Sequence, residues 1–349
     1  MRPDGGVVSM FDALVFVVAA IVALGLSEAV RRLAIRGNVI DVPNDRSSHR
    51  VPTPRGGGLA IAIVSMMGVV LLWLVGKVPL WVLLGFCIPG ATIAVIGLLD
   101  DVMQLPASIR LIVHVVACAI GLWALPTLEF AGLPVRAVPL AVLVSLLLLV
   151  LVWGVNLFNF MDGIDGIAAM EAVFVGLMIG VLSYSADASM SHLPAVIVAG
   201  AAAGFLILNW PPAKIFMGDS GSGFLGYALC FCGFAAAYAG VNIWAFVIVV
   251  GAFVADATVT LIRRLIQGQQ VLQPHRSHAY QKLTDRFGGH LPVTLLFTGV
   301  NVGWLAPLAL LAQRWTDWAG LIALIAYMPL IVGVTIVRSS SLVRVEVRR

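Results

Sequence analysis

About eleven apolar runs, each long enough to cross a bilayer, follow one another from one end of the chain to the other. They fall near 10–30, 58–76, 79–99, 108–125, 137–155, 167–184, 193–209, 222–240, 242–262, 292–312 and 318–337. Runs of this length are membrane helices. The expected fold class is therefore all-α: a polytopic integral membrane protein with about 11 transmembrane helices, forming a single domain over 1–349. A chain that is 61% hydrophobic and 11% charged, with a mean hydropathy of +1.04, is excluded from the soluble globular class.

The charges that remain are unevenly placed. Arg31, Arg32, Arg36, Arg46, Arg50 and Arg55 sit between the first two spans. Arg263, Arg264, Arg276, Lys282 and Arg286 surround the loop after the ninth, and Arg338, Arg344, Arg348 and Arg349 close the chain. With an odd number of spans these three groups share one side. Positive-inside bias makes that side cytoplasmic, with the N-terminus outside and the C-terminus inside. The net charge of +4 is a topology signal and implies no nucleic-acid partner. Cys87, Cys118, Cys230 and Cys232 all lie in apolar segments and read as small buried hydrophobes. The first span lacks a basic n-region and a small-residue cleavage site, so it is expected to be retained.

Five polar clusters interrupt the pattern on the arginine-rich side. Asp41 to Gly58 holds three prolines and three glycines, which preclude a regular helix. Its glycines would let backbone N–H groups approach an anion, and Arg46, His49, Arg50 and Arg55 could hold phosphate. The alternative is a basic loop that binds lipid headgroups. Asp100 and Asp101 close the third span, where two carboxylates meet the negative end of the helix dipole and need a cation, a proton or Arg110. Asn156, Asn159, Asp162 and Asp165 step by three, with Gly163 and Gly166 among them. On an ideal helix such a ridge drifts by about 60° per step, so an irregular helix end lining a cavity is expected. Clustered oxygen ligands beside a membrane span suit Mg²⁺ and the phosphates it carries.

Asn209 to Ser222 carries Lys214, Phe216, Gly218 and Asp219 just ahead of the eighth span. A helix N-terminus with glycines and a lysine is an anion site, to which Asp219 could bring a metal; the plainer alternative is an N-cap. The fifth cluster, His275-Arg276-Ser277-His278, suggests diphosphate or sugar contacts, because no carboxylate or cysteine completes a zinc site at helical spacing. Asp256 is expected to form an ion pair with Arg263 and Arg264.

Together these clusters resemble the polyprenyl-phosphate N-acetylhexosamine-1-phosphate transferases, the WecA/MraY superfamily, also called glycosyltransferase family 4. The likeness runs from Asp41 to about Lys282, and the Asn156–Gly166 and Phe216–Ser222 motifs are its most specific parts. The resemblance implies transfer of an N-acetylhexosamine-1-phosphate, or of a deoxy relative, from a UDP-sugar to undecaprenyl phosphate with release of UMP. It implies Mg²⁺, with Mn²⁺ as a substitute, held by Asn159 and Asp219. Asp100, Asp101 and Asp162 would be the catalytic carboxylates, the first two engaging the lipid phosphate and Asp100 being the candidate base. Asp165 would hydrogen-bond uracil and Phe216 would stack on it. Arg46, His49, Lys214, His275, Arg276 and His278 complete the expected substrate contacts.

The Pro-His-Arg-Ser-His-Ala-Tyr-Gln run looks like the enzymes that start O-antigen or related glycans, and the triple-histidine form of the peptidoglycan branch is absent. The implied location is the bacterial inner membrane, with a periplasmic N-terminus, a cytoplasmic C-terminus and a cytoplasmic active site. A homodimer is common in the family. A transporter or flippase would instead place its polar residues near the midplane.

Overall fold

The computed structural model describes residues 9–43, 51–133, 138–186, 192–269 and 276–339. A helix occupies each of the apolar stretches. The first eight are α1 (Met10–Arg36), α2 (Gly58–Leu74), α3 (Leu80–Met103), α4 (Ala107–Ala124), α5 (Leu140–Met161), α6 (Ile167–Ser185), α7 (Leu193–Asn209) and α8 (Asp219–Tyr238). They are followed by α9 (Ile243–Val249), α10 (Gly251–Ile266), α11 (Ala279–Phe287), α12 (His290–Val300), α13 (Ala306–Arg314) and α14 (Ala319–Ser339). A short antiparallel pair, β1 (Ile40–Asp41) with β2 (Thr53–Pro54), brackets the first polar loop.

The structure is thus that of an all-α polytopic membrane protein. By length and composition, eight of the described helical segments are long and apolar enough to cross a membrane, and nine if a bent pair counts as one span. α2 and α7 are apolar too, but at 17 residues each they are short of a full crossing. The outer helices turn large apolar side chains outward, as Leu14, Val17 and Ile21 of α1 and Ile112 and Val116 of α4 show.

The bent pair departs from the sequence expectation of one continuous span over 242–262. The chain turns by 72° between α9 and α10, at the Val250–Gly251 junction. The turn carries Asp256, wholly buried on α10, to the start of α11, where its carboxylate accepts from the backbone N–H groups of Ala279 (2.8 Å) and Tyr280 (2.9 Å). Asp256 therefore holds α11 in place of the expected pairing with Arg263 and Arg264. α12 and α13 are joined by a π-helical turn, Asn301–Leu305, and the Asn301 amide donates to Glu171 of α6.

The core is built around α8, which is enclosed along its whole apolar window and packs against α2, α3 and α5. Small residues make this possible. A Cβ on Gly97 of α3 would lie 2.5 Å from the Asp219 carbonyl oxygen, so only glycine lets the end of α3 approach the first turn of α8 this closely. The contact brings Asp100 and Asp101 beside Asp219.

Candidate active site

The polar clusters converge at one end of the bundle. The C-terminal end of α5, the N-terminus of α8, and the loops before α2, α6 and α8 meet around a cavity of about 270 Å³, and the C-terminal end of α3, with Asp100 and Asp101, packs against Asp219 without lining it. Its walls include Asp41, Arg55, Asn159, Asp162, Asp165, Phe216, Asp219, Gln281 and His290.

Asp219 sits at the centre. Arg55 reaches it at 2.6 Å and Arg110 at 3.2 Å, and the Asn159 amide stands on the same cavity wall, where it favours the ionised carboxylate. Arg110 also pairs with Asp100 at 2.6 Å, so a single guanidinium nitrogen bridges the Asp100 and Asp219 carboxyls. Two carboxylates so placed stay ionised together only with a cation or a proton between them, and Arg110 is a cation in that position. Among the described residues, Asp100, Asp101 and Asp219 share the two guanidinium groups of Arg55 and Arg110, an acidic surplus that invites a cation. Burial alone would depress the Arg55 guanidinium, but Asp101 and Asp219, with Asp41 and Asp162 further out, hold its pKa above the ordinary value. Enclosure pushes the Asp162 carboxyl well above the ordinary range, against the pull of Arg55.

Asp101 has a task the sequence did not suggest. Its side chain is 4% exposed, and it accepts from the N–H groups of Asp219 (3.0 Å) and Ser220 (3.4 Å) while pairing with Arg55 at 2.9 Å. The expected anion site at the start of α8 is thus filled by a carboxylate of the chain itself. Gly218, at φ 78°, makes the approach possible, since a Cβ there would lie 2.6 Å from Asp101 Oδ2. The glycines before α2 differ in the same way from their expected role. Gly56 and Gly57 donate to the Phe216 carbonyl and Gly58 to that of Met217, so these N–H groups zip two loops together and are not offered to a ligand.

Asp100 also has both oxygens engaged, Oδ1 by the Leu105 N–H at 2.7 Å and Oδ2 by Arg110. Asp165 is held differently. Its Oδ2 accepts from the Ala213 N–H at 3.0 Å and lies 3.1 Å from His290 Nδ1. Asn209, buried behind it, accepts from the Gly166 N–H and donates to the Ile215 carbonyl, locking the two motif loops together. Asp165, Phe216 and His290 form a wall shared with a second cavity of about 680 Å³, lined further by Pro211, Pro212, Arg276, Asp285 and Gly288.

The other expected contacts spread out. Arg276 lines the second cavity and pairs with Asp285 at 2.7 Å. His278 is 2% exposed, stacks on Phe160 and Tyr280, and lines neither cavity; it serves as the N-cap of α11. Lys214 is exposed and lines neither cavity. Arg46, His49 and His275 lie outside the described residues. His290 and Gln281 were not singled out in the sequence. Gly288-Gly289-His290 followed by Pro292, a helix stop and a new start, was the available signal for the first.

Among the described residues no three His, Cys, Asp or Glu side chains form a ready-made metal cage. That suits Mg²⁺, which is usually held by one or two carboxylates together with substrate phosphates. Asp219, with the Asn159 amide beside it, is a donor set of that kind.

An acid-rich, arginine-laced cavity at one end of an apolar helical bundle is the equipment of a membrane enzyme. Residues 81–237, which hold Asp100, Asp101, the Asn156–Gly166 run and Asp219, match the family described as Glycosyl transferase family 4. The chain is 30% identical over 283 residues to the probable undecaprenyl-phosphate N-acetylglucosaminyl 1-phosphate transferase of Bacillus subtilis (strain 168), covering 77% of this chain and 76% of that protein. It is 31% identical over 320 residues to the decaprenyl-phosphate N-acetylglucosaminephosphotransferase of Mycobacterium tuberculosis (strain ATCC 25618 / H37Rv), covering 81% and 78%. A phospho-N-acetylmuramoyl-pentapeptide-transferase of Synechococcus sp. (strain JA-3-3Ab) is 30% identical over 312 residues, covering 81% and 85%. The chain belongs to the polyprenyl-phosphate N-acetylhexosamine-1-phosphate transferase family.

Proposed function

We propose that this enzyme transfers an N-acetylhexosamine-1-phosphate, or a deoxy relative, from a UDP-sugar to undecaprenyl phosphate and releases UMP. The observation that carries the reading is the meeting of Asp219, Asp100, Asn159, Arg55 and Arg110 at one end of the bundle. The acceptor is too apolar to leave the membrane and the donor too polar to enter it, so a polar cavity at a helix-bundle end is where they can meet. On the arginine distribution that end is cytoplasmic, in the inner membrane of a bacterium.

An oxygen of the lipid phosphate attacks the sugar-bearing phosphorus of the donor, and the bond from that phosphorus to the bridging oxygen breaks. UMP takes the electron pair. Both reactants are anions, so opposite charge must be supplied where they approach. Asp219 and Asn159 would hold Mg²⁺, or Mn²⁺ in its place, which neutralises the diphosphate and the departing UMP when bound. Arg55 and Arg110, paired with carboxylates here, are placed to turn to phosphate oxygens. A phosphate monoester has a second pKa of about 6, so the nucleophile needs little deprotonation near neutral pH. With both its oxygens engaged, Asp100 orients Arg110 and the acceptor rather than serving as an obligatory base. Asp165 receives the imide N–H of uracil, and Phe216 lies along the same wall to stack on the ring. The O-antigen type of glycan is the pathway we favour, on the His-Arg-Ser-His form of the fifth cluster.

The test is purified protein with undecaprenyl phosphate, Mg²⁺ and a panel of UDP-N-acetyl sugars, scored for UMP. UMP release that requires both the lipid and the divalent ion is the expected result. Movement of lipid or sugar across vesicles with no UMP formed would replace the enzyme reading with that of a carrier.

A further inference from the structure

The two cavities share a wall, and the residue on it that no motif explains is His290. It opens α12, and its Nδ1 lies 3.1 Å from Asp165 Oδ2 and 3.3 Å from the Asp165 backbone nitrogen. One turn further along the same helix, the Thr294 hydroxyl donates to the Asp165 carbonyl at 2.9 Å. The start of α12 thus holds Asp165 by its carbonyl and, through one imidazole nitrogen, by either its carboxylate or its backbone N–H. Among the described residues both contacts to the carboxylate, from Ala213 N–H and from His290, fall on Oδ2, which leaves Oδ1 as the oxygen for a ligand. The His290 and Asp165 side chains are 13% and 10% exposed, so the pair is desolvated enough for its geometry to matter.

We propose that His290 is the positioning residue that aims the Asp165 carboxylate at the imide edge of a uracil-type base, and so sets the enzyme's preference against cytosine nucleotides. The inference rests on the reading above, in which Asp165 receives the base. The chemistry of selection is direct. An ionised carboxylate only accepts hydrogen bonds; uracil offers a donor at N3, whereas cytosine offers a lone pair there. A site built around one directional acceptor rejects the analogue that lacks the matching donor, provided the acceptor cannot swing away. His290 blocks that swing, because the ring occupies the space beside Oδ2 and is tied to the backbone of the same residue. An Nδ1–H donates to Oδ2 and holds the carboxylate plane directly; an unprotonated Nδ1 instead accepts from the Asp165 backbone N–H and fixes the backbone from which the carboxylate projects.

The experiment uses the purified full-length enzyme with Mg²⁺ in every arm. Calorimetric binding of UMP and of CMP is combined with donor KM, lipid KM and kcat for the unaltered protein and for His290→Ala, His290→Asn and His290→Gln. An asparagine amide nitrogen falls at the position of Nδ1, while glutamine reaches the position of Nε2. The unaltered enzyme should prefer UMP to CMP. His290→Ala should weaken UMP binding about tenfold, the worth of one well-placed hydrogen bond, and erase most of the preference. The loss should fall on donor KM rather than on kcat or lipid KM. His290→Asn should restore both affinity and preference, and His290→Gln should not.

A His290→Ala protein with unchanged UMP affinity and preference overturns the proposal, as does a fall in kcat with donor KM untouched. Should the alanine protein fail to fold, the contrast between asparagine and glutamine decides: equal defects in both overturn it. An unaltered enzyme that releases UMP but shows no preference between the bases sinks this inference alone. One that neither binds nor releases UMP sinks the functional reading with it.

Discussion

Two carboxylates at the site, Asp219 and Asp165, have the same side chain and opposite surroundings. Asp219 stands on the first turn of a fully enclosed helix, between two guanidinium groups and close to a second carboxyl. Asp165 stands on an irregular turn beyond α5 and is held by a backbone N–H and an imidazole. The first setting suits a group that must balance several charges as they arrive and leave. The second suits a group that must point in one direction at a base of no net charge. On the proposed function, charge would be handled at a helix end and shape read where loops meet.

The comparison breaks first at Asp219. Replacing it with asparagine should lower UMP release roughly a thousandfold and raise the Mg²⁺ concentration needed for half-activity. Full activity with an unaltered Mg²⁺ titration would remove the charge-handling role. Asp100→Asn should cost roughly a hundredfold, with the deficit constant from pH 6 to 9. Recovery of activity with rising pH would instead make Asp100 a true base. Asp165→Asn should raise donor KM roughly tenfold and leave the Mg²⁺ titration where it was, which separates the two centres in one assay.

Asp101→Ala leaves two helix N–H groups and Arg55 short of a partner, and should cost about 2–4 kcal/mol of stability, seen as a lower unfolding midpoint in detergent. Lys214→Ala, on an exposed side chain outside both cavities, should change turnover by less than about twofold, as surface substitutions usually do. A large loss there would mean that the charge-handling region extends beyond the cavity.

Much of this was legible in the sequence, for a physical reason. Lipid imposes long apolar helices, and a polar residue beside them is costly enough to be noticed. The helical class and the irregular end after Met161 follow from that, whereas the pairing of Asn159 with Asp219, which line one cavity, came from the family resemblance. What stayed hidden were partnerships between distant residues. Nothing local says that Asp101 will cap a helix starting 118 residues later, or that the Gly56–Gly58 N–H groups will be spent on Phe216 and Met217. His278 looks like a ligand contact in a histidine-rich run, yet it is packed beneath Phe160 as a helix cap. His290 stood alone, twelve residues past that run, and only its place at a helix start could have marked it.

The 72° bend between α9 and α10 reaches further than its own segment. Through Asp256 it suspends α11, whose Tyr280 hydroxyl donates to the Phe160 carbonyl, one residue past Asn159, and whose Gln281 lines the smaller cavity. Part of the wall of the smaller cavity therefore hangs from a bend at Val250–Gly251, outside that cavity's own lining. A change at Val250 or Gly251 that relaxed this crook would silence the enzyme with every active-site side chain intact.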